Sequence, residues 1–152
     1  MLEIEKYLIK QCELENLQAD DKYLSDGIVV VSKKDIRLKI LKDFKTMPDN
    51  TILKNVPFEK GKKWEIPNEV VLRGGGKFDF KYDDIFSFDY DYIKLFEQTF
   101  CCCSYFALPC LTYPNSTQAP VLKVFNFDKF VGLIVSSIRD YELFRKGNKN
   151  VR

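Results

Sequence analysis

Four carboxylates lie close together in the stretch YDDIFSFDYDY, residues 82–92. Carboxylate oxygens bind Mg²⁺, and an ion held by Asp83, Asp84, Asp89 and Asp91 could support phosphodiester hydrolysis. The acids alternate with aromatic residues, however, which is also typical of a strand edge. Asp89 and Asp91 directly precede an apolar helical stripe, where acids favour the positive end of the helix dipole. We therefore predict that these two acids cap a helix, with a Mg²⁺-dependent nuclease as the alternative.

The next candidates for chemistry are the five cysteines Cys12, Cys101, Cys102, Cys103 and Cys110. Three of them, Cys101–Cys103, are consecutive. A zinc site needs four converging ligands, usually from two spaced pairs. Consecutive residues of an extended chain point to opposite faces, so three adjacent thiols cannot easily converge. The odd number also argues against a disulfide framework. We predict that Cys101–Cys103 begin a β-strand and that the protein holds no metal or cofactor.

The chain contains no histidine. Imidazole is the commonest general base and metal ligand, and the usual activator of a serine or cysteine nucleophile. The glycine run in VLRGGGKFDF, residues 71–80, does not replace it with a phosphate-binding loop. A P-loop spaces its glycines around four residues and continues into a helix, whereas KFDFKY has the alternation of a strand. We therefore predict a protein that is not an enzyme.

Length and composition indicate one globular domain. The chain has 152 residues, of which 45% are hydrophobic and 30% charged, and its net charge is +2. No apolar run approaches the roughly 20 residues of a membrane span, and the charged opening MLEIEKYLIK predicts no signal peptide. We expect a cytoplasmic protein with no membrane contact. The predicted domain covers residues 1–144, and the basic residues 145–152 are predicted to form a flexible tail.

Charge is distributed unevenly along the chain. Residues 33–63 carry ten basic residues against four acidic ones, whereas residues 78–97 carry six acidic residues against two lysines. Such asymmetry can steer a charged partner to one side of a protein, or it can reflect solvated strand faces alone.

Hydrophobic periodicity predicts two helices and several strands. A helical period covers residues 3–17 and a second covers about ten residues from Tyr92, while period-2 or β-branched runs predict the strands. The first run is Ile28–Val31, paired with IRLKIL as a hairpin, and a helix over KKDIRLKILKDF is the alternative for the second arm. The others are a short strand near Lys63–Ile66, EVVL, KFDFKY, CCCSYFAL, PVLKVFNF and FVGLIVSSI. Each helix has a single apolar stripe. The predicted fold class is α+β, with a mostly antiparallel sheet and the two amphipathic helices packed on one face.

The order of these elements resembles one domain of the DNA sliding clamps, the β-clamp and PCNA-like processivity rings. The resemblance covers residues 86–138, where FSFDYDYIKLFEQTF, CCCSYFAL and APVLKVFNFDKFVGLIVSSI are similar to the family's second helix and the strands after it. It implies a homo-oligomeric ring that encircles duplex DNA and contacts its phosphates. The residues then facing DNA would be Lys6, Lys10 and Lys94. Both helices carry more acids than lysines, which would repel a phosphate backbone.

A competing interpretation is a small inhibitor or immunity protein encoded by a phage or mobile element, which covers the site of a partner enzyme. Aromatic residues would anchor such a partner and acids would steer it. The predicted protein-binding residues are Asp83, Asp84, Phe86, Asp89, Tyr90 and Asp91. The alternative for this segment is that its aromatic residues form strand core and its acids face solvent.

Overall fold

The computed structural model describes residues 1–36, 56–73, 75–112, 118–139 and residue 142. Helix α1 spans Glu3–Glu13 and helix α2 spans Tyr90–Thr99. The strands are β1 Gln18–Ala19, β2 Tyr23–Ser25, β3 Val29–Ser32, β4 Lys62–Lys63, β5 Val70–Arg73, β6 Lys77–Lys81, β7 Phe86–Asp89, β8 Cys103–Thr112, β9 Gln118–Asn126, β10 Lys129–Val135 and β11 Ser137–Ile138. The predicted tail and the run IRLKIL beyond Ile36 lie outside the described residues.

The described strands form two antiparallel sheets. The larger has the order β1-β2-β3-β10-β9-β8-β4, and the smaller has the order β11-β7-β6-β5. Strand β10 leads almost directly into β11, with Ser136 between them donating its backbone N–H to the carbonyl of Pro120 at 3.3 Å. The α+β class with antiparallel pairing is therefore confirmed, although its strands divide between two sheets.

Helix α1 ends earlier than the sequence period suggested. The prediction extended it to residue 17, but it stops at Glu13 and the chain turns at Glu15, whose φ is 56°. A left-handed residue cannot continue a right-handed helix. A helix that reached residue 17 would place Leu14 on one apolar stripe with Ile4 and Leu8. Leu14 is instead 63% exposed, whereas Ile4 and Leu8 are buried.

Both helices pack on one face of the larger sheet. Val29 and Val31 share a core cluster with Ile4, Leu8, Ile93 and Phe96, whereas Val30, which points to the opposite face, shares a second cluster with Leu108, Val121 and Leu133. Alternate residues of a strand face opposite sides, so the first cluster identifies the face covered by the helices. The helices also meet each other, since the backbone N–H of Ile4 donates to Oγ1 of Thr99 at 3.1 Å.

Several strand predictions are confirmed with small changes of boundary. EVVL and KFDFKY form β5 and β6, joined through Gly75 and Gly76 with positive φ, and the last three runs form β8, β9 and β10–β11. The hairpin around Ile28–Val31 was assigned the wrong partner. Strand β3 pairs with the preceding β2 across the Asp26–Gly27 turn, and a 3-10 turn at Lys33–Asp35 follows it.

Candidate functional site

The exposed acids of the YDDIFSFDYDY segment are Asp83, Asp84 and Asp91. Asp83 Oδ1 accepts hydrogen bonds from the backbone N–H groups of Ile85 and Phe86 at 2.8 and 2.6 Å, which fixes the turn before β7. Asp84 lies 3.7 Å from Nζ of Lys81, and its side chain is 81% exposed, so this pair contributes little. Asp83 and Asp84 therefore lie exposed in the turn before β7, and Asp91 lies exposed in the first turn of α2.

The other predicted protein-binding residues belong to the fold. Phe86 is 3% exposed and Asp89 is 7% exposed, while half-buried Tyr90 packs on Phe80 with a centroid distance of 5.2 Å. Asp89 is the N-cap of α2, where its Oδ1 accepts from the backbone N–H of Asp91 at 2.8 Å. The helix-capping prediction is confirmed for Asp89. Partner binding by this set remains a prediction, carried by Asp83, Asp84, Asp91 and the outer edge of Tyr90.

A buried ion-pair network joins the cap of α2 to the smaller sheet. Arg73 Nη2 lies 2.8 Å from Asp89 Oδ2, and its Nη1 donates to Ser137 at 2.9 Å. Its Nε lies 3.2 Å from Asp79 Oδ1, without the alignment of a hydrogen bond, and Asp79 also accepts a hydrogen bond from Ser87. Burial raises the pKa of Asp79, while Ser87 and Arg73 lower it in part. Because Asp79 is fully buried, this network serves the fold rather than a ligand.

A second polar cluster holds the two helices against the β2–β3 turn. Asp26 Oδ1 accepts from the backbone N–H groups of Ile28 and Val29 at 2.9 and 2.8 Å, and its Oδ2 accepts from the hydroxyls of Tyr7 and Tyr92. Burial raises the pKa of both tyrosines, that of Tyr92 to about 12, so both hydroxyls remain donors at neutral pH. Because Tyr7 belongs to α1 and Tyr92 to α2, their shared acceptor Asp26 ties both helices to the same turn.

The cysteine run leads into a strand as predicted, although only its last member is part of it. Strand β8 begins at Cys103, and Cys101 and Cys102 are exposed before it. The thiol of Cys103 points to the carbonyl of Phe96 at 3.4 Å, and burial raises its pKa to about 11. Among the described residues, no group of three or more Cys, Asp or Glu side chains is placed to hold a metal ion.

Two of the three helix lysines of the clamp resemblance lie close to an acid of their own helix. Nζ of Lys6 lies 2.9 Å from Glu3, and Nζ of Lys94 lies 3.7 Å from Glu97 and 5.3 Å above the ring of Tyr90. Lys10 is exposed one turn from Glu13. DNA contact by Lys6, Lys10 and Lys94 remains a prediction, and their local charge gives it little electrostatic support.

A cavity of about 390 Å³ collects four lysines at one end of the larger sheet. We call it the lysine groove; it is lined by Lys22, Lys33, Lys34 and Lys129, by the rings of Tyr23 and Phe130, and by Asp21 and Ser32. Strand pairing explains its position. Tyr23 at the start of β2 is paired with Ser32 at the end of β3, and β10, which begins at Lys129, is the next strand. Three separate segments therefore bring lysines together where the ends of neighbouring strands meet.

Charge in the lysine groove is only partly balanced. Lys129 pairs with Asp35 at 2.8 Å, whereas exposed Lys22 and Lys34 have no ion pair with any described residue. Asp20, two residues before Lys22, accepts hydrogen bonds from the backbone N–H groups of Lys22 and Tyr23 through its Oδ1. The groove is thus a concave surface of positive charge with an aromatic floor.

The groove continues in both directions. A second cavity shares Asp21, Lys22 and Tyr23 with it and reaches Phe58, which is 99% exposed. A third shares Lys34 and Lys129 and reaches Phe100 near the start of α1. The ring of Tyr23 meets Phe130 edge-on at 6.1 Å, and Phe130 meets Phe125 at 5.8 Å. The surface is therefore elongated, and its two extensions also include the acids Asp20, Glu5 and Asp35.

Sequence reasoning missed the lysine groove because its residues are far apart in the chain. Of the four groove lysines, Lys33 and Lys34 belong to the basic region 33–63, and the other two, Lys22 and Lys129, lie outside it. The charge excess of that region did not indicate which lysines converge.

The comparisons with known proteins show no significant similarity to any protein family, curated protein or solved structure. In the part of the chain that the structure describes, neither helix is long and apolar enough to span a membrane.

Proposed function

We propose that the protein is a non-catalytic binding protein that holds the phosphate backbone of a nucleic acid in the lysine groove. The observation that carries this proposal is the convergence of four lysines and two aromatic rings in one cavity, against one lining acid. Lysines that neutralise phosphates release condensed counterions, and this release supplies most of the affinity of sequence-independent binding.

The aromatic residues add a second component. Tyr23 and Phe130 line the groove, and Phe58 lies at its extension with nearly its whole side chain in solvent. Bases stack on such rings with little preference for sequence. The groove therefore supports backbone contact accompanied by stacking, not the reading of base edges.

This site differs from the one that the sliding-clamp resemblance implies. In that family the helices would face DNA, but here the pairs Lys6–Glu3 and Lys94–Glu97 reduce the positive charge of the helices. We propose the lysine groove as the principal nucleic-acid surface and keep a clamp-like ring as a proposal that needs several copies of the chain.

The acidic surface favours a second proposal, an inhibitor that binds a basic partner enzyme. The hydrogen bonds from Ile85 and Phe86 to Asp83 hold this turn in one conformation, and such preorganisation lowers the entropic cost of binding. With Phe86 buried, the aromatic contribution to this surface reduces to Tyr90.

Replacing both Lys22 and Lys34 with Ala is expected to weaken binding to a fluorescent oligonucleotide by about tenfold or more at low salt. Each lost phosphate contact should reduce the slope of log affinity against log salt by about 1, so the double variant should lose about 2 from its slope. The measurement is fluorescence anisotropy over a salt series, with single-stranded and duplex probes in separate arms.

The matched control replaces Lys6 and Lys10 with Ala, which removes the same charge from an exposed helix surface. The proposal expects this control to retain the native salt slope. If the helix variant lost affinity and the groove variant did not, the clamp-like site would be correct instead. If the native chain bound neither probe at low salt, the nucleic-acid proposal would be wrong.

A further inference from the structure

Strand β5 is an open edge with unusual apolar exposure. It pairs with β6 and is the last strand of the smaller sheet among the described residues. Val70 is 37% exposed and Leu72 is 68% exposed, and Phe78, the cross-strand partner of Leu72, is 54% exposed. Natural edge strands usually carry charges, prolines or bulges that prevent pairing with another chain. The strand sequence VVLR has its single charge at the end.

The three exposed residues share one face of the sheet. Val70 is paired with Phe80 and Leu72 with Phe78, and paired residues of an antiparallel sheet lie on the same side. Phe80 on that face is 5% exposed and packs on Tyr90. The exposed stripe therefore continues the core face of the smaller sheet outward to its open edge.

From this geometry we propose that β5 pairs with β5 of a second copy of the chain, antiparallel and about a two-fold axis at Val71. The proposal is independent of the lysine groove. A two-fold axis perpendicular to the sheet keeps each residue on its own face, so the axis must pass through a residue and not between two. The axis could then pass at any of three residues of β5, namely Val70, Val71 or Leu72.

Side-chain pairing selects Val71 among these centres. With the axis at Val71, Val70 of each copy lies opposite Leu72 of the other, which joins both apolar stripes into one. Glu69 then lies opposite Arg73 of the other copy, which is a pair of opposite charge. Lys77, the cross-strand neighbour of Arg73, adds a second cation beside it, while Arg73 keeps its contacts with Asp79 and Asp89. An axis at Val70 would place Leu72 opposite Asn68, and an axis at Leu72 would leave Val70 with no opposite residue in β5, which ends at Arg73.

The pairing closes at two copies. Each β5 pairs with the β5 of the other copy and leaves no free β5 edge. An isologous contact of this kind therefore forms a dimer and does not extend into a fibre. The combined sheet would have eight strands. A four-residue strand gives a smaller contact than the interfaces of tight dimers, so we expect a dimer that dissociates in the micromolar range of protein concentration.

The test is sedimentation equilibrium over a range of protein concentrations for the native chain and Leu72→Lys. We expect the native chain to dimerise and the variant to be monomeric at every concentration. Leu14→Lys is the matched control, because Leu14 is 63% exposed against 68% for Leu72 but lies after α1. This control should dimerise like the native chain.

Register is tested by disulfide cross-linking in a Cys101→Ser/Cys102→Ser background. Val71→Cys should form a covalent dimer rapidly on mild oxidation, because the two cysteines lie opposite each other. Glu69→Cys should not, because position 69 of one copy lies opposite position 73 of the other. A native chain that stays monomeric, a dimer that survives Leu72→Lys, or faster cross-linking at position 69 than at position 71 would each overturn the proposal. In the first case the open strand would remain available to a segment of another protein.

Discussion

Replacing Arg73 with Met is expected to lower the free energy of unfolding by about 3 to 5 kcal/mol at pH 7, the usual cost of breaking a buried ion pair from one side. Asp79 is fully buried, and the guanidinium of Arg73 is the cation beside it at 3.2 Å. The same guanidinium holds Asp89 at 2.8 Å and Ser137 at 2.9 Å. Methionine keeps the aliphatic volume but leaves Asp79 without a compensating charge. Urea unfolding followed by circular dichroism measures the loss.

The effect should depend on pH in a defined direction. Burial raises the folded-state pKa of Asp79 above its ordinary 3.8. Between pH 3.8 and this raised pKa, the native state binds more protons than the unfolded state. Stability therefore falls as pH rises through this window. Arg73 lowers the pKa of Asp79, so its removal raises that pKa further and extends this pH range to higher pH. The deficit of the variant should be smaller at pH 4 than at pH 7.

Two controls distinguish the ion pair from general damage to the sheet. Lys77→Met alters the cross-strand partner of Arg73 at an exposed position and should change stability by less than about 0.5 kcal/mol. Adding Asp79→Asn to Arg73→Met removes the orphaned charge and should recover part of the loss. Equal stability of the single and double variants at pH 7, or a deficit that does not vary with pH, would contradict the argument.

The sequence predicted those elements whose signals are local. Helix α2 combines an apolar stripe with Asp89 as its cap, and β5 and β6 have clear periodicity around a glycine turn. The predicted end of α1 was wrong because the apolar stripe appeared to continue to Leu14. The left-handed residue that ends the helix region is Glu15 and not a glycine, so the sequence gives no signal for the turn. Strand β7 was missed because alternating Asp and aromatic residues fit a cap as well as a strand.

The division into two sheets and the position of the site depend on contacts between distant residues. Strand β7 is stabilised by β6 and by β11, in which Ser137 pairs with Ser87, fifty residues earlier in the chain. The lysine groove likewise needs β2, β3 and β10 to be neighbours. Phe86, predicted to contact a partner, is buried because all four residues of β7 are buried and both faces of the strand are covered. Periodicity separates the two faces of a strand but does not show whether one or both of them are covered.

Replacing Gly132 with Ala is expected to lower the free energy of unfolding by about 2 to 3 kcal/mol, as overpacking of a tight core does. Gly132 lies in β10 under α2, and a Cβ there would stand 2.5 Å from Cζ of Phe96 and 2.5 Å from the backbone oxygen of Val30. Neither neighbour can move easily. Phe96 is fully buried, and Val30 belongs to β3, which is paired with β10. Thermal and urea unfolding would measure the change.

A double-mutant cycle separates the two clashes at Gly132. Phe96→Leu shortens the side chain above the glycine and should reduce the additional cost of Gly132→Ala, but a residual cost should remain because the oxygen of Val30 is backbone. Gly75→Ala is the comparison for backbone effects alone, since no atom lies within 4 Å of its Cβ position and only its φ of 82° opposes the change, at about 1 kcal/mol. If Gly132→Ala cost no more than Gly75→Ala, or if Phe96→Leu gave no relief, then α2 would not be seated on this glycine. The close approach of α2 to the larger sheet would then need another explanation.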